Sequence, residues 1–82
     1  MKWFVYVAKC SDDSLYIGIT TDPKRREWEH NNSKEGAKSV KGKRPVKIVY
    51  TEEYDSKATA SKREYAIKNW KRDNKLKLIS RS

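Results

Sequence analysis

The apolar positions of this chain change their spacing along its length, and the changes divide it into six predicted elements. Trp3 to Cys10 (WFVYVAKC) is apolar or aromatic at both alternating sets of positions, the pattern of a strand covered on both faces. Ser11-Asp12-Asp13-Ser14 has turn chemistry, because short polar side chains bond their own backbone. Leu15 to Thr20 (LYIGIT) is a second β-branched and aromatic run, so the two runs predict a hairpin. Thr21-Asp22-Pro23 supplies an N-cap acceptor and then proline at the first helical position. A helix should follow and run to about Asn31 or Asn32. Its only large apolar residue is Trp28, which predicts a surface helix held to the core by one indole.

Ser33 to Arg44 (SKEGAKSVKGKR) is rich in Gly, Ser and Lys without apolar periodicity and reads as a mobile basic loop. From Pro45 to Tyr54, Val46, Ile48 and Tyr50 alternate with Lys47, Val49 and Thr51, predicting a half-exposed third strand. Asp55-Ser56 caps a longer helix expected through about Arg72, with Ala60, Ile67 and Trp70 along its apolar line. A last short helix, Asn74 to Ile79, is expected to bring Leu76, Leu78 and Ile79 to the core. There is no internal repeat and no dividing linker. The order ββαβαα predicts one α+β domain over residues 1–82, with a small three-stranded antiparallel sheet flanked by helices.

Composition narrows the partners. Eighty-two residues bury only a modest core, so a second folded domain is not expected. Charged residues reach 38%, but three tryptophans, five tyrosines and a phenylalanine argue against disorder. The net charge of +9 favours a polyanion, since lysine and arginine displace the counterions condensed on nucleic acid. No amphipathic basic helix or lipidation signal favours a membrane instead, and no apolar run approaches a membrane span. MKWFVYVAKC is too short for a signal peptide and lacks a small-residue cleavage site. Cys10 stands alone, which excludes an internal disulfide and leaves it as a small core residue. The expected location is the cytoplasm.

Three constellations carry candidate chemistry. Arg26 and His30 are four residues apart, about 40° around a helix axis, and so share a face roughly opposite Trp28. That face meets either solvent or a substrate. Glu64 lies one turn after Ala60 and one turn before Ile67, at the border of an apolar stripe. A carboxylate there takes a neighbouring lysine or arginine, or a metal ion. Tyr6 and Tyr16 sit on the two hairpin strands, and the turn decides whether they share a side. A two-residue turn at Asp12-Asp13 sends the rings to opposite faces. A three-residue loop, Ser11 to Asp13, puts both on one, but asks Asp13 for a left-handed backbone. The spacing leaves that register open, and ordinary core packing is the plainer role for both rings.

Taken together, Val5-Tyr6-Val7, Tyr16-Ile17-Gly18, Arg26, His30 and a distant helical Glu64 resemble the GIY-YIG nuclease superfamily, in particular its short single-domain bacterial members. The resemblance covers nearly the whole chain, including GAKSVKGKRPVKIVY and REYAIKNWKR. It implies paired active-site tyrosines at Tyr6 and Tyr16, and therefore the three-residue loop. It further implies close backbone approach at Gly18, a phosphate-contacting arginine at Arg26, and His30 where the family uses histidine or tyrosine. Glu64 becomes the single ligand of a divalent ion, Mg²⁺ or Mn²⁺. Valine replaces the family's glycine and isoleucine at positions 5 and 7, Ile19 stands where some members carry lysine, and Asn74 is a loose match to an asparagine of others.

The implied activity is metal-dependent hydrolysis of phosphodiesters in DNA. Tyr6 is the favoured base, Tyr16 positions water or phosphate, Arg26 balances phosphoryl charge, and His30 bonds the phosphate or tunes a tyrosine. Lys38, Lys41, Lys43 and Arg44 would grip the backbone, and Trp3 either packs in the core or stacks on a base. Without an added recognition module, selection by single-strand or branched structure is expected over long sequence specificity. The alternatives are a nucleic-acid-binding module without useful catalysis and an adaptor for an acidic protein.

Overall fold

A computed structural model describes residues 1–32 and 42–80. Lys38 and Lys41 lie outside the described residues. The elements are β1 (Trp3–Lys9), β2 (Leu15–Thr20), α1 (Pro23–Asn32), β3 (Lys47–Tyr54), α2 (Lys57–Lys68) and α3 (Arg72–Ser80). They form the expected α+β arrangement, a three-stranded sheet in the order β2-β1-β3 with both pairings antiparallel.

The central strand β1 is covered on both faces. Val5 and Val7 join Ile17, Ala60, Ile67 and Leu78 on the side packed by α2 and α3. Tyr6 and Ala8 join Cys10 and Val46 on the other. The β1–β2 turn is the three-residue loop. The Cys10 amide donates to the Ser14 carbonyl at 2.9 Å, and Asp13 takes a φ of 68°. No glycine is needed, because the Asp12 carboxylate accepts from both the amide and the hydroxyl of Ser14, at 3.0 and 2.6 Å. This pins the bend from the position before the strained one. The resulting register pairs Tyr6 with Gly18 and Ala8 with Tyr16, so both tyrosines point to one face.

Four details differ from the sequence expectation. Helix α1 is not anchored by Trp28, which is 61% exposed, but turns His30 completely inward. Its rotation is set by polar clamps to β3 and to Val46 just before it. Asn31 accepts from the Val46 amide and donates to its carbonyl, at 2.6 and 2.8 Å, and Glu27 accepts from the Ile48 amide at 2.7 Å. The regular alternation in β3 is broken by a bulge: Val7 pairs with Tyr50 but Ala8 with Ile48. Ile48 and Tyr50 therefore face opposite sides. Helix α2 stops at Lys68, capped by Asn69, and α3 begins at Arg72, which lets Trp70 turn back onto the core between them. Leu76 in α3 stays exposed.

The bulge also builds a polar node that ties β3 to α2. Glu52 accepts from Tyr50 and Tyr54 Oη at 2.5 and 2.7 Å and from Arg63 Nε and Nη2 at 2.8 and 3.0 Å. Burial opposes its ionisation, but the donors from Arg63, Tyr50 and Tyr54 outweigh that and pull the carboxyl down to about 2. In the unfolded chain it titrates near 4.5. The contribution is thus fully present above about pH 4.5 and is lost as pH falls toward 2. Denaturant titrations across that window should lose on the order of 2 to 3 kcal/mol of stability. Glu52→Gln should flatten the loss; an unchanged acid profile would show that the node does not carry it.

Candidate active site

The site lies on the sheet face that α1 covers. Gly18 makes room for it. Tyr6 sits directly across from Gly18 in the ladder, and the outer end of its ring lies over that residue. A β-carbon added at Gly18 would meet Tyr6 Oη at 2.6 Å and Cζ at 2.7 Å. Any side chain there would lift the ring. Because nothing does, the phenol reaches α1, where its hydroxyl lies 2.8 Å from His30 Nε2. Tyr16 closes the cluster, with its ring centroid 6.1 Å from that of Tyr6 and edge-on to His30 at 5.2 Å.

Charge enters from two helices. Arg26, one turn before His30, brings its guanidinium beside the Tyr6 hydroxyl and is itself held by Glu29 at 3.2 Å. Glu64 of α2 is close enough to act electrostatically on the same phenol. Burial pushes the Tyr6 phenol up to about 12, Tyr16 and Glu64 add to the rise, and Arg26 works against it. Burial also lowers the His30 imidazole below its usual 6.5, with Arg26 and Arg44 acting the same way and Glu29 opposing. The ring is therefore neutral at pH 7. Its Nδ1 is buried without a hydrogen-bond partner among the described residues.

The structure thus brings Tyr6, Tyr16, Gly18, Arg26 and His30 into one cluster, with Glu64 of α2 acting on the Tyr6 phenol only electrostatically; all six were named from the sequence. Glu64 also faces Lys68 one turn on, at 3.6 Å. That lysine is half exposed, so the pair is weak and the carboxylate remains available. The donor set suits an oxygen-preferring divalent ion. A lone carboxylate, with its side chain 22% exposed, would leave most positions around such an ion to water and phosphate oxygens. No cluster of three or more His, Cys, Asp or Glu side chains among the described residues competes as a metal cage.

The basic residues divide. Lys43 is partly exposed and only loosely paired, 3.8 Å from Asp12. Arg44 turns inward and its Nε donates to the His30 carbonyl at 2.5 Å, bracing the last turn of α1. Trp3 is half-buried under Lys57, whose Nζ lies 5.4 Å from the ring centre. Two residues escaped the sequence reading. Glu29 sits three residues after Arg26 on the same helix, a spacing that announces an ion pair. Glu52 is flanked by tyrosines at alternate positions, which in a strand marks one face.

Similarity to other proteins agrees with this geometry. Residues 2–77 match the family described as the GIY-YIG catalytic domain. A UPF0213 protein of Staphylococcus saprophyticus is 51% identical over 79 residues, covering 96% of this chain and 95% of that protein. Another, from Desulfotalea psychrophila, is 48% identical over 80 residues, covering 98% and 73%. The solution structure of a UPF0213 protein from Bacillus halodurans superposes with a TM-score of 0.62 at 40% identity, covering 98% of this chain and 84% of that one. A second solution structure, of a protein from E. faecalis, gives 0.65 at 39% identity with the same coverage. Among the described residues, no helix is long and apolar enough to cross a membrane. The family's domain is a nuclease domain that works with a divalent metal, and by its matched length and its relatives this chain belongs to the GIY-YIG family, beside the short bacterial UPF0213 proteins.

Proposed function

We propose that this chain is a single-domain, cytoplasmic, Mg²⁺- or Mn²⁺-dependent endonuclease that hydrolyses phosphodiesters in DNA and selects single-stranded or branched substrates. The observation that carries the reading is the Tyr6 phenol, seated over Gly18, 2.8 Å from a buried neutral imidazole, and acted on by both Arg26 and Glu64. A tyrosine that served only as core would not gather two polar partners, His30 and Arg26, from the helix laid over it.

Each side chain then has a task. Tyr6, as the phenolate, takes the proton from the attacking water as the new phosphorus–oxygen bond forms; the bond to the leaving oxygen breaks in line, and that oxygen takes a proton from solvent. Its high resting pKa makes the phenolate scarce, so the neighbours matter. Because a buried N–H without an acceptor costs more than an idle lone pair, the lone Nδ1 favours the tautomer with hydrogen on Nε2. His30 then donates to the Tyr6 oxygen and stabilises it as charge develops. Arg26 serves the same oxygen and the phosphoryl oxygens, which it reaches with a forked guanidinium. Glu29 keeps that guanidinium aimed until phosphate arrives. Tyr16 positions the water or phosphate from the adjoining strand. Glu64 is the residue that would hold the divalent ion, whose charge, when bound, offsets that of the phosphate. Lys43 grips the backbone, as Lys38 and Lys41 are expected to.

The test is direct. Labelled single-stranded, duplex and branched DNA should be cut in Mg²⁺ or Mn²⁺, with the duplex cut least. Glu64→Ala should lower the rate about 10³-fold while leaving DNA binding in place, as expected when electrostatic support at the reacting phosphate is removed. Equal binding with no cleavage by either protein would instead make the chain a nucleic-acid-binding module.

A further inference from the structure

The outward face of α1 carries an indole that the fold does not use. Trp28 is 61% exposed, whereas Trp3 and Trp70 pack against the core. On the helix surface Trp28 neighbours Lys24, one turn earlier, and Arg25, three residues earlier. Lys24 is exposed and makes no ion pair among the described residues. Arg25 reaches Glu29 at 3.5 Å but leaves its side chain 75% exposed. The helix's acids neutralise this face only in part. Glu27 is turned to the Ile48 amide, and Glu29 is shared between Arg25 and Arg26.

An exposed indole set between cations fits one ligand chemistry well. Its flat apolar face stacks on an unpaired nucleobase, and the cations hold the phosphates on either side. A protein partner is the poorer match, since a docking surface of that kind is built around an apolar centre depleted of charge. A duplex is poorer too, because its bases are already stacked on one another. The opposite side of the same helix presents Arg26 and His30 to Tyr6. A strand crossing α1 from the site has only the helix width to cover, about 10 Å, which is a span of a few nucleotides.

We propose that the outer face of α1 is a single-strand subsite, in which Trp28 stacks on an unpaired base a few nucleotides from the scissile phosphate and Lys24 and Arg25 hold the flanking phosphates. The subsite rests on the nuclease reading and supplies its preference for unpaired DNA.

The experiment compares a labelled single-stranded oligonucleotide with a strand of equal length made of abasic sites, titrated against wild type, Trp28→Ala and Trp28→Phe. Trp28→Ala should weaken binding of the base-bearing strand about 10-fold. It should leave the abasic strand and the salt slope unchanged, because no phosphate contact is lost. Trp28→Phe should retain most of the affinity. Melting temperature should not move, since the side chain lies outside the core. Equal losses on both strands, or no loss on either, overturn the subsite while wild-type cleavage keeps the nuclease reading. A wild type that neither binds nor cuts any strand overturns both.

Discussion

Tyr6→Phe should lower the single-turnover cleavage rate by about 10²- to 10⁴-fold, the range expected when a positioned base is removed. The substitution keeps the ring over Gly18 and deletes only the hydroxyl, so DNA affinity should hold. Folding should lose about 1 to 2 kcal/mol, because His30 Nε2 is left buried without its partner. The pH dependence separates a base from a merely structural phenol. With the phenol pushed up to about 12, the phenolate fraction grows about tenfold per pH unit throughout the neutral and mildly alkaline range. The wild-type rate should rise with that slope from about pH 7 to pH 9. In Tyr6→Phe the slope should vanish along with the rate. A variant that cleaves within a few-fold of wild type, or a wild-type profile that is flat there, would remove Tyr6 as the base and turn attention to Tyr16.

Gly18→Ala should be almost as damaging, for a different reason. The added methyl would stand 2.6 to 2.9 Å from the Tyr6 hydroxyl oxygen and two carbons of its ring, well inside contact distance. The ring belongs to the buried central strand, so it tilts off the sheet rather than swinging into solvent. Its hydroxyl then leaves His30. Cleavage should fall at least 10²-fold, because a reacting group displaced by about 1 Å loses roughly that much. Stability should fall by about 1 to 3 kcal/mol from overpacking. The stability loss has a specific signature: in a Tyr6→Ala background, Gly18→Ala should cost little, since the ring it strikes is gone. A double-mutant cycle measures this, and additive losses would show that the glycine matters for backbone reasons unrelated to the phenol.

These two predictions draw on different amounts of sequence information. The grouping of Tyr6, Tyr16, Arg26, His30 and Glu64 as one candidate set came from their order and spacing once the resemblance was seen. That Gly18 is a seat for a ring was not legible, because it depends on which residue stands opposite in the ladder. The turn decides that, and Asp12-Asp13 allowed two registers of opposite consequence. The structure adopts the one in which the Asp12 carboxylate binds Ser14 and Asp13 accepts a left-handed backbone. Shifting the pairing by one residue would have put the two phenols on opposite faces.

Local patterning determined the kinds and order of elements. Two apolar runs around a polar turn, Asp22-Pro23 and Ser56 as helix starts, and alternation after Pro45 were sufficient, because caps and periodicity act between near neighbours. Tertiary structure decided how those elements are turned. Trp28 looked like the anchor of α1 because burial favours indoles, yet Glu27 and Asn31 satisfy the amides of Ile48 and Val46 and rotate His30 inward instead. The Val49 bulge turned the face that carries Tyr50 and Glu52 toward Arg63 of α2, and strand alternation alone does not say where such a bulge falls. Hydrogen bonds across distant segments set these phases, and a linear sequence shows the groups that can make them without showing which ones meet.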